Sequence, residues 1–411
     1  MSVKLNRRKF LAGSAAVASA AAFPMPSIAQ SAPVKIGLLT VKTGPLTEGG
    51  LQMEQGVTAY LKSKNMILAG RKVDLTVADT GGNPAGTKTK AQELVERDKV
   101  NVILGPLAAF EMLAISDYVT QNKVPTLCLA GADNLTQRNP NPYLVRASAT
   151  SSQAMHVMGD YAAKTMGLKK VACLDFDFAF GYEQEGGFQQ VFEDAGGKVV
   201  SKVWAPLGTP DFTPFIAQIQ DCDGVSQGFA GAAPVKFMKQ YADAGLKLPV
   251  CGGETAGDDA LLSRFGDEAI GLINACPYTI DLKNDANDKF KALMDKEYQS
   301  VPGFYAASMY VTVQVVEAAL RALHGDLSKP EQTIKALRAV NLTDTARGPL
   351  RFDDLGNAVG SMYVRKIVKQ GDKLTNVTQK TYENVSQFWP YDEAKYLAQP
   401  AYSRDYPPLK T

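Results

Sequence analysis

The chain has 411 residues, 45% hydrophobic and 21% charged, with 44 Lys and Arg against 42 Asp and Glu. This is ordinary globular composition with material for a large core, and a net charge of +2 excludes the broad basic face that nucleic acid demands. After residue 30 no apolar run reaches the roughly 20 residues of a membrane-spanning helix.

The first 29 residues read as a leader. Lys4, Arg7, Arg8 and Lys9 precede an alanine-rich apolar run over 10–23, and small residues lead to Ser27-Ile28-Ala29, which resembles a signal-peptidase site. Basic, apolar, small, in that order, predicts a secretory signal cut after Ala29. Arg7-Arg8 before Phe10-Leu11 resembles a twin-arginine signal, but Asn6 stands where serine or threonine is usual, so the general secretory route fits as well. Loss of four basic residues and no acidic one leaves a slightly acidic body, expected to be soluble and periplasmic.

The body alternates short β-branched runs with stretches of helical spacing. Strands are predicted over 34–40, 73–79, 100–105, 125–130, 171–175, 199–204, 225–229, 249–253 and 271–277. Helices are predicted over 54–64, 85–98, 152–166, 187–195, 212–220, 235–244, 287–298, 306–323 and 330–339. Strand and helix in this rhythm mean βαβ units and an α/β fold with mainly parallel sheets. Asn83-Pro84 reads as an N-cap followed by proline at the first helical position, and Gly245 and Gly325 as C-terminal stops. Residues 388–408 carry Trp389, Tyr391, Tyr396, Tyr402 and Tyr406 among four prolines; so many aromatics predict an extended strap packed on the body.

Small residues follow successive strands: Thr43-Gly44-Pro45, Gly105-Pro106-Leu107-Ala108-Ala109, Ala130-Gly131-Ala132-Asp133, Gly228-Phe229-Ala230-Gly231 and Gly252-Gly253-Glu254. In parallel sheets ligands gather at the carboxyl ends of strands, so these five turns outline a cleft. Four of the five cysteines, Cys128, Cys173, Cys251 and Cys276, fall in apolar strand-like runs and read as small buried hydrophobes. Cys222 is the fifth, and no Cys-x-x-Cys pair exists.

Catalytic and metal patterns read poorly. Gly224-Val225-Ser226-Gln227-Gly228 matches a nucleophile elbow in letters, but Ser226 falls inside a predicted strand rather than on a sharp strand-to-helix turn. His324 follows it in sequence order yet sits at a helix C-terminus, where it meets the dipole. The run 81–89 lacks Walker spacing, and Pro84 brings no N–H to a phosphate cradle. Asp175 and Asp177 near a strand end suit a helix cap or a ligand amine. No metal-ligand spacing is present, and neither a catalytic residue nor a cofactor is expected.

Taken in order, these motifs resemble leucine/isoleucine/valine-type periplasmic binding proteins. Val34-Lys35-Ile36-Gly37-Leu38-Leu39, Thr43-Gly44-Pro45, Asp79-Thr80, Val102-Ile103-Leu104-Gly105-Pro106, Phe180-Gly181-Tyr182, Gly245-Leu246-Lys247 and Gly348-Pro349-Leu350-Arg351-Phe352 carry the likeness over about 34–385. The resemblance implies a type I periplasmic binding protein: two Rossmann-like lobes joined by a three-crossing hinge, closing on a ligand. It places the first lobe at 34–147 plus 279–350, the second at 148–278 plus 351–390, and leaves 391–411 as the strap. It implies crossings near 146–150, 277–281 and 350–354. It implies a monomer that takes a small carboxylate-bearing solute to the membrane permease subunits of an ABC importer.

Site residues follow from the same resemblance. Backbone N–H groups near Ala108, Ala109 and Phe110 are expected to receive the ligand carboxylate, which a helix N-terminus favours. Gly131, Ala132 and Asp133 form a second carboxylate-binding stretch. Phe180 stands where a tyrosine is common, Glu254 where an acid meets a ligand ammonium, and Tyr305 where a ring covers the ligand. The sequence departs from amino-acid binders at Ala109 and Asp133, which usually carry hydroxyls, and at Gly49 and Gly231, which replace bulky aromatics. A roomier pocket lined by Phe110, Phe180, Tyr182, Phe229, Phe304 and Tyr305 suits an aromatic acid such as a benzoate or hydroxycinnamate. A branched-chain or other hydrophobic amino acid is the alternative, with Glu254 or Asp133 holding its ammonium. A ligand-sensing ectodomain on the same fold and a secreted hydrolase using Ser226 are the remaining readings.

Overall fold

A computed structural model describes residues 32–410. The leader expected over 1–29 lies outside the described residues, as does residue 411. Two sheets organise the rest. The first contains β1 (Val34–Thr40), β2 (Ile67–Leu68), β3 (Arg71–Asp79), β4 (Val102–Leu104), β5 (Thr126–Leu127) and β6 (Leu144–Val145), in spatial order 2-3-1-4-5-6. All its pairings are parallel except the β2–β3 hairpin. The second contains β7 (Lys170–Phe176), β8 (Lys198–Ala205), β9 (Gly224–Gln227), β10 (Val250–Gly252), β11 (Ile273–Cys276), β12 (Leu350–Phe352), β13 (Ala358–Gln370) and β14 (Lys373–Val385). Its order is 12-13-11-10-9-7-8, with β14 beside β13. The core strands β7 to β11 are parallel, and β12, β13 and β14 add antiparallel pairs at one side.

Helices cover both sheets. They are α1 (Thr47–Ser63), α2 (Pro84–Gln92), α3 (Ala109–Gln121), α4 (Gln153–Lys164), α5 (Ala179–Asp194), α6 (Thr213–Ile216), α7 (Ala233–Asp243), α8 (Asp285–Tyr298), α9 (Phe304–Ala322), α10 (Pro330–Arg338) and α11 (Glu393–Leu397). Helices α8 to α10 pack with α1 and β6, so the polypeptide that follows β11 returns to the first sheet. The α/β class expected from the alternation and the two lobes implied by the family resemblance are both observed.

Local chemistry sets several boundaries. The Asn83 carboxamide accepts the Gly86 N–H at 2.8 Å, with Pro84 at the first helical position. Gly245 and Gly325 adopt φ of +72° and +86° just past their helices, which glycine alone reaches without strain. Three differences stand out. The helix predicted over 212–220 is a single turn, because Phe212 is pulled into the core against Phe229 and Phe237. The long β13–β14 hairpin was not among the predicted strands; its half-exposed residues give a weaker apolar signal than the buried parallel strands. Residues 388–408, expected to be extended, include the short helix α11, capped by Asp392 accepting the Lys395 N–H.

The backbone passes between the sheets three times, over 146–152, 277–284 and 339–349, so Leu350 to Phe352 already belong to the second sheet. All five cysteines are free thiols, and all but Cys222 are buried. Among the described residues no helix is long and apolar enough to cross a membrane.

Candidate functional site

In each sheet the strand order reverses beside its first strand: β1 has β3 on one side and β4 on the other, and β7 has β8 and β9. Loops leaving such a pair in opposite directions open a crevice at the carboxyl edge. A cavity lies where the two edges face each other. Leu46 comes from the loop after β1, Leu107, Ala108 and Ala109 from that after β4, and Leu129 and Gly131 from that after β5. The second sheet answers with Phe178 and Phe180 after β7, Ala230 after β9, and Glu254 and Thr255 after β10. Ala149 of the first passage and Phe304 and Tyr305 at the start of α9 complete the wall.

The wall is apolar over most of its area. Phe178 stacks between Phe176 and Phe180, with centroids 5.8 and 6.0 Å away, and meets the edge of Phe110 at 5.5 Å. The Phe304 and Tyr305 rings lie tilted to each other with centroids 5.2 Å apart. Polar groups are confined to a few points. Ala108, in extended conformation, precedes α3, and its N–H donates to the buried Glu111 carboxyl at 2.9 Å. Ala109 and Phe110 occupy the first helical positions, whose N–H groups have no intrahelical carbonyl to meet. Thr255 Oγ1 donates to the Phe229 carbonyl at 2.7 Å. Glu254 is enclosed, and burial pushes its carboxyl up to about 8, so it is largely neutral at pH 7.

Of the residues singled out in the sequence, the cavity brings together Ala108, Ala109, Gly131, Phe180, Glu254, Phe304 and Tyr305. The others take different places. Phe110 turns its ring behind Phe178. The Ala132 carbonyl accepts from the buried Arg146 guanidinium at 2.6 Å. Asp133 is turned away: its carboxylate accepts the Ser152 N–H at 3.2 Å, and its own N–H donates to Glu183 at 3.0 Å. Phe229 is core, packed by Phe176, Phe212 and Phe237. Tyr182 Oη donates to Asp177 at 2.5 Å and its ring meets the edge of Trp204. Gly231 gives its N–H to the Tyr305 hydroxyl. With φ of +64° and the Pro45 carbonyl 2.4 Å from where a Cβ would sit, Gly231 admits the facing lobe rather than enlarging the cavity.

Phe178 was missed. Its only signal is the alternation Phe176, Phe178, Phe180 across the end of β7, which puts successive rings on one face. Ser226 lies buried within β9, away from any strand-to-helix turn. Asp175 is buried and accepts the Phe176 N–H, whereas Asp177 pairs with Arg404 at 2.6 Å, so the two carboxylates do not share a site. Among the described residues no group of His, Cys, Asp and Glu is placed to hold a metal ion.

An apolar cavity shut between the carboxyl edges of two doubly wound lobes defines a solute-binding protein of the hinged, two-lobed class. A family model for periplasmic binding proteins matches residues 33–372, and the chain belongs to that family, whose members serve ABC transporters as solute-binding components. A solute-binding protein of an ABC transporter from Rhodopseudomonas palustris BisB5, in complex with 3,4-dihydroxybenzoic acid, is 34% identical; the match spans 86% of this protein and 98% of that one, at a TM-score of 0.82. A second R. palustris solute-binding protein, in complex with 4-hydroxybenzoate, is 28% identical over 87% of this protein and 98% of its own length, at a TM-score of 0.81. A Leu/Ile/Val-binding protein homolog from Brucella melitensis is 28% identical, spanning 82% of this protein and 88% of its own length.

Proposed function

We propose that the protein captures a small aromatic carboxylate, of the benzoate or hydroxycinnamate kind, and hands it to the membrane permease subunits of an ABC importer. It does so as an exported, periplasmic monomer without metal or cofactor. The observation that carries this reading is the composition of the wall: aromatic rings and aliphatic side chains enclose the cavity, and polar groups stand only at points. A flat apolar body with one charged end fits such a space. The N–H groups of Ala109 and Phe110 receive the carboxylate, Phe178, Phe180 and Tyr305 hold the ring, and Glu254 meets the opposite end as a neutral acid. The benzoate ligands of the R. palustris neighbours support the same class.

The second reading is a branched-chain amino acid, favoured by the name of the Brucella relative. Against it, an ammonium carries three donors, and Glu254 is the one carboxyl among the residues that wall the cavity.

A thermal-shift screen on protein unfolded and refolded to strip bound solute tests both. At a hundred times Kd a ligand adds about 2.7 kcal/mol of stability. Shifts with hydroxybenzoates and none with leucine or valine support the aromatic acid; the reverse pattern sinks it.

A further inference from the structure

We propose that Asp258 is the latch that holds the two lobes shut. The inference rests on the reading that the protein closes around a solute and adds the residue that sets the closing equilibrium. Asp258 and Asp259 lie side by side after β10 and point opposite ways. Asp259 is tied into its own lobe, with Oδ2 2.7 Å from the Arg365 guanidinium and Oδ1 accepting from Asn376 at 2.9 Å. Asp258 crosses the seam. Its Oδ1 accepts the Phe304 N–H at 2.7 Å and its Oδ2 accepts from Gln52 Nε2 at 2.9 Å, both in the first lobe.

Phe304 begins the nineteen-residue helix α9, so its N–H lacks an intrahelical acceptor and a carboxylate there meets the positive end of the dipole. The approach depends on Gly303: a Cβ at that position would lie 2.1 Å from Asp258 Oδ1. Asp258 is only 1% exposed. Its own lobe offers the Ala260 N–H, and the remaining hydrogen bonds that offset loss of water come from across the seam. When the lobes part, Asp258 regains water, while Phe304 and Gln52 lose an acceptor. Phe304 also walls the cavity, so solute and latch act on the same helical turn and favour the same closed state.

The test uses refolded, ligand-free protein and compares wild type with D258A, D258N, Q52A and the D258A/Q52A pair. Hydrogen exchange and small-angle X-ray scattering are the readouts. D258A is expected to lower the closed-to-open ratio about tenfold, raising the radius of gyration and speeding exchange over 46–56 and 300–306, with β13 and β14 unchanged. Q52A moves the same way, the pair adds nothing beyond D258A, and D258N, which keeps an acceptor, falls between. D258N also serves if D258A does not fold. Unchanged scattering with faster exchange confined to 253–264 makes Asp258 a brace within its own lobe and overturns the latch. So does a wild type as open as the variants. Failure of aromatic acids to bind would overturn the ligand reading and leave this measurement untouched.

Discussion

Arg347 Nη2 donates to the Ser148 carbonyl at 2.9 Å, tying the third passage between the lobes to the first. The same guanidinium reaches Ala147 in the first passage and, through Nε at 3.1 Å, Pro277 in the second. Burial pushes it down to about 10 without removing its charge at neutral pH. Its three acceptors are backbone carbonyls. Arg347→Met leaves them without their donor in a buried hinge and is expected to cost about 3 kcal/mol in urea unfolding. Arg347→Lys, which keeps charge and part of the bonding, should lose less. A wild-type midpoint for Arg347→Met would contradict the role of this clasp.

Ala109 allows a substitution that removes one atom's function and little else. Proline is well tolerated at the first position of a helix, and Ala108 before it already has the extended φ and ψ of −94° and 150° that a proline requires. Ala109→Pro deletes the N–H assigned to the solute carboxylate. The melting temperature should stay within a few degrees of wild type, while solute affinity by calorimetry falls at least tenfold, the usual worth of a charge-assisted hydrogen bond. Retained affinity would move the carboxylate elsewhere.

Two phenylalanines near the cavity separate binding from folding. Phe178 is half-buried and lines the space; Phe229 is fully buried behind it. Phe178→Ala should weaken solute binding about 10- to 100-fold with a modest loss of stability. Phe229→Ala should instead destabilise the fold by about 3–5 kcal/mol. The pair distinguishes the two roles because each variant is read by both calorimetry and denaturation.

Glu254 gives a pH signature. Its folded value, raised to about 8, exceeds the ordinary carboxyl value of about 4.3. Between those limits the folded state binds the proton and the unfolded state does not, so this group makes stability fall as pH rises, with no further change above about 8. The stability difference between wild type and E254Q should narrow, or reverse, across that window by on the order of 1 kcal/mol per pH unit. Parallel curves for the two proteins would show that Glu254 is not the titrating group. Aromatic acid affinity should also drop above pH 8, where an ionised Glu254 repels an anion. If the solute is instead an amino acid held by Glu254, E254Q should weaken it far more than acids lacking an amine; equal losses would remove Glu254 from amine recognition.

Alternating strands and helices, the Asn83-Pro84 cap and the glycine turns after successive strands were legible in the sequence, because each depends on residues within a few positions. Those turns correctly located the carboxyl edges on which the cavity lies. Which residue in each turn faces the cavity was decided by the tertiary structure. Phe229 points into the core while its neighbour Ala230, in the same loop after β9, lines the space. Asp133 looks like a ligand group in sequence and is turned away by the Ser152 N–H. Asp258 gains its role only from Gln52 and Phe304, 206 and 46 residues away. Local spacing determines elements and their edges; the contacts that shut the lobes join distant residues, and no periodicity records them.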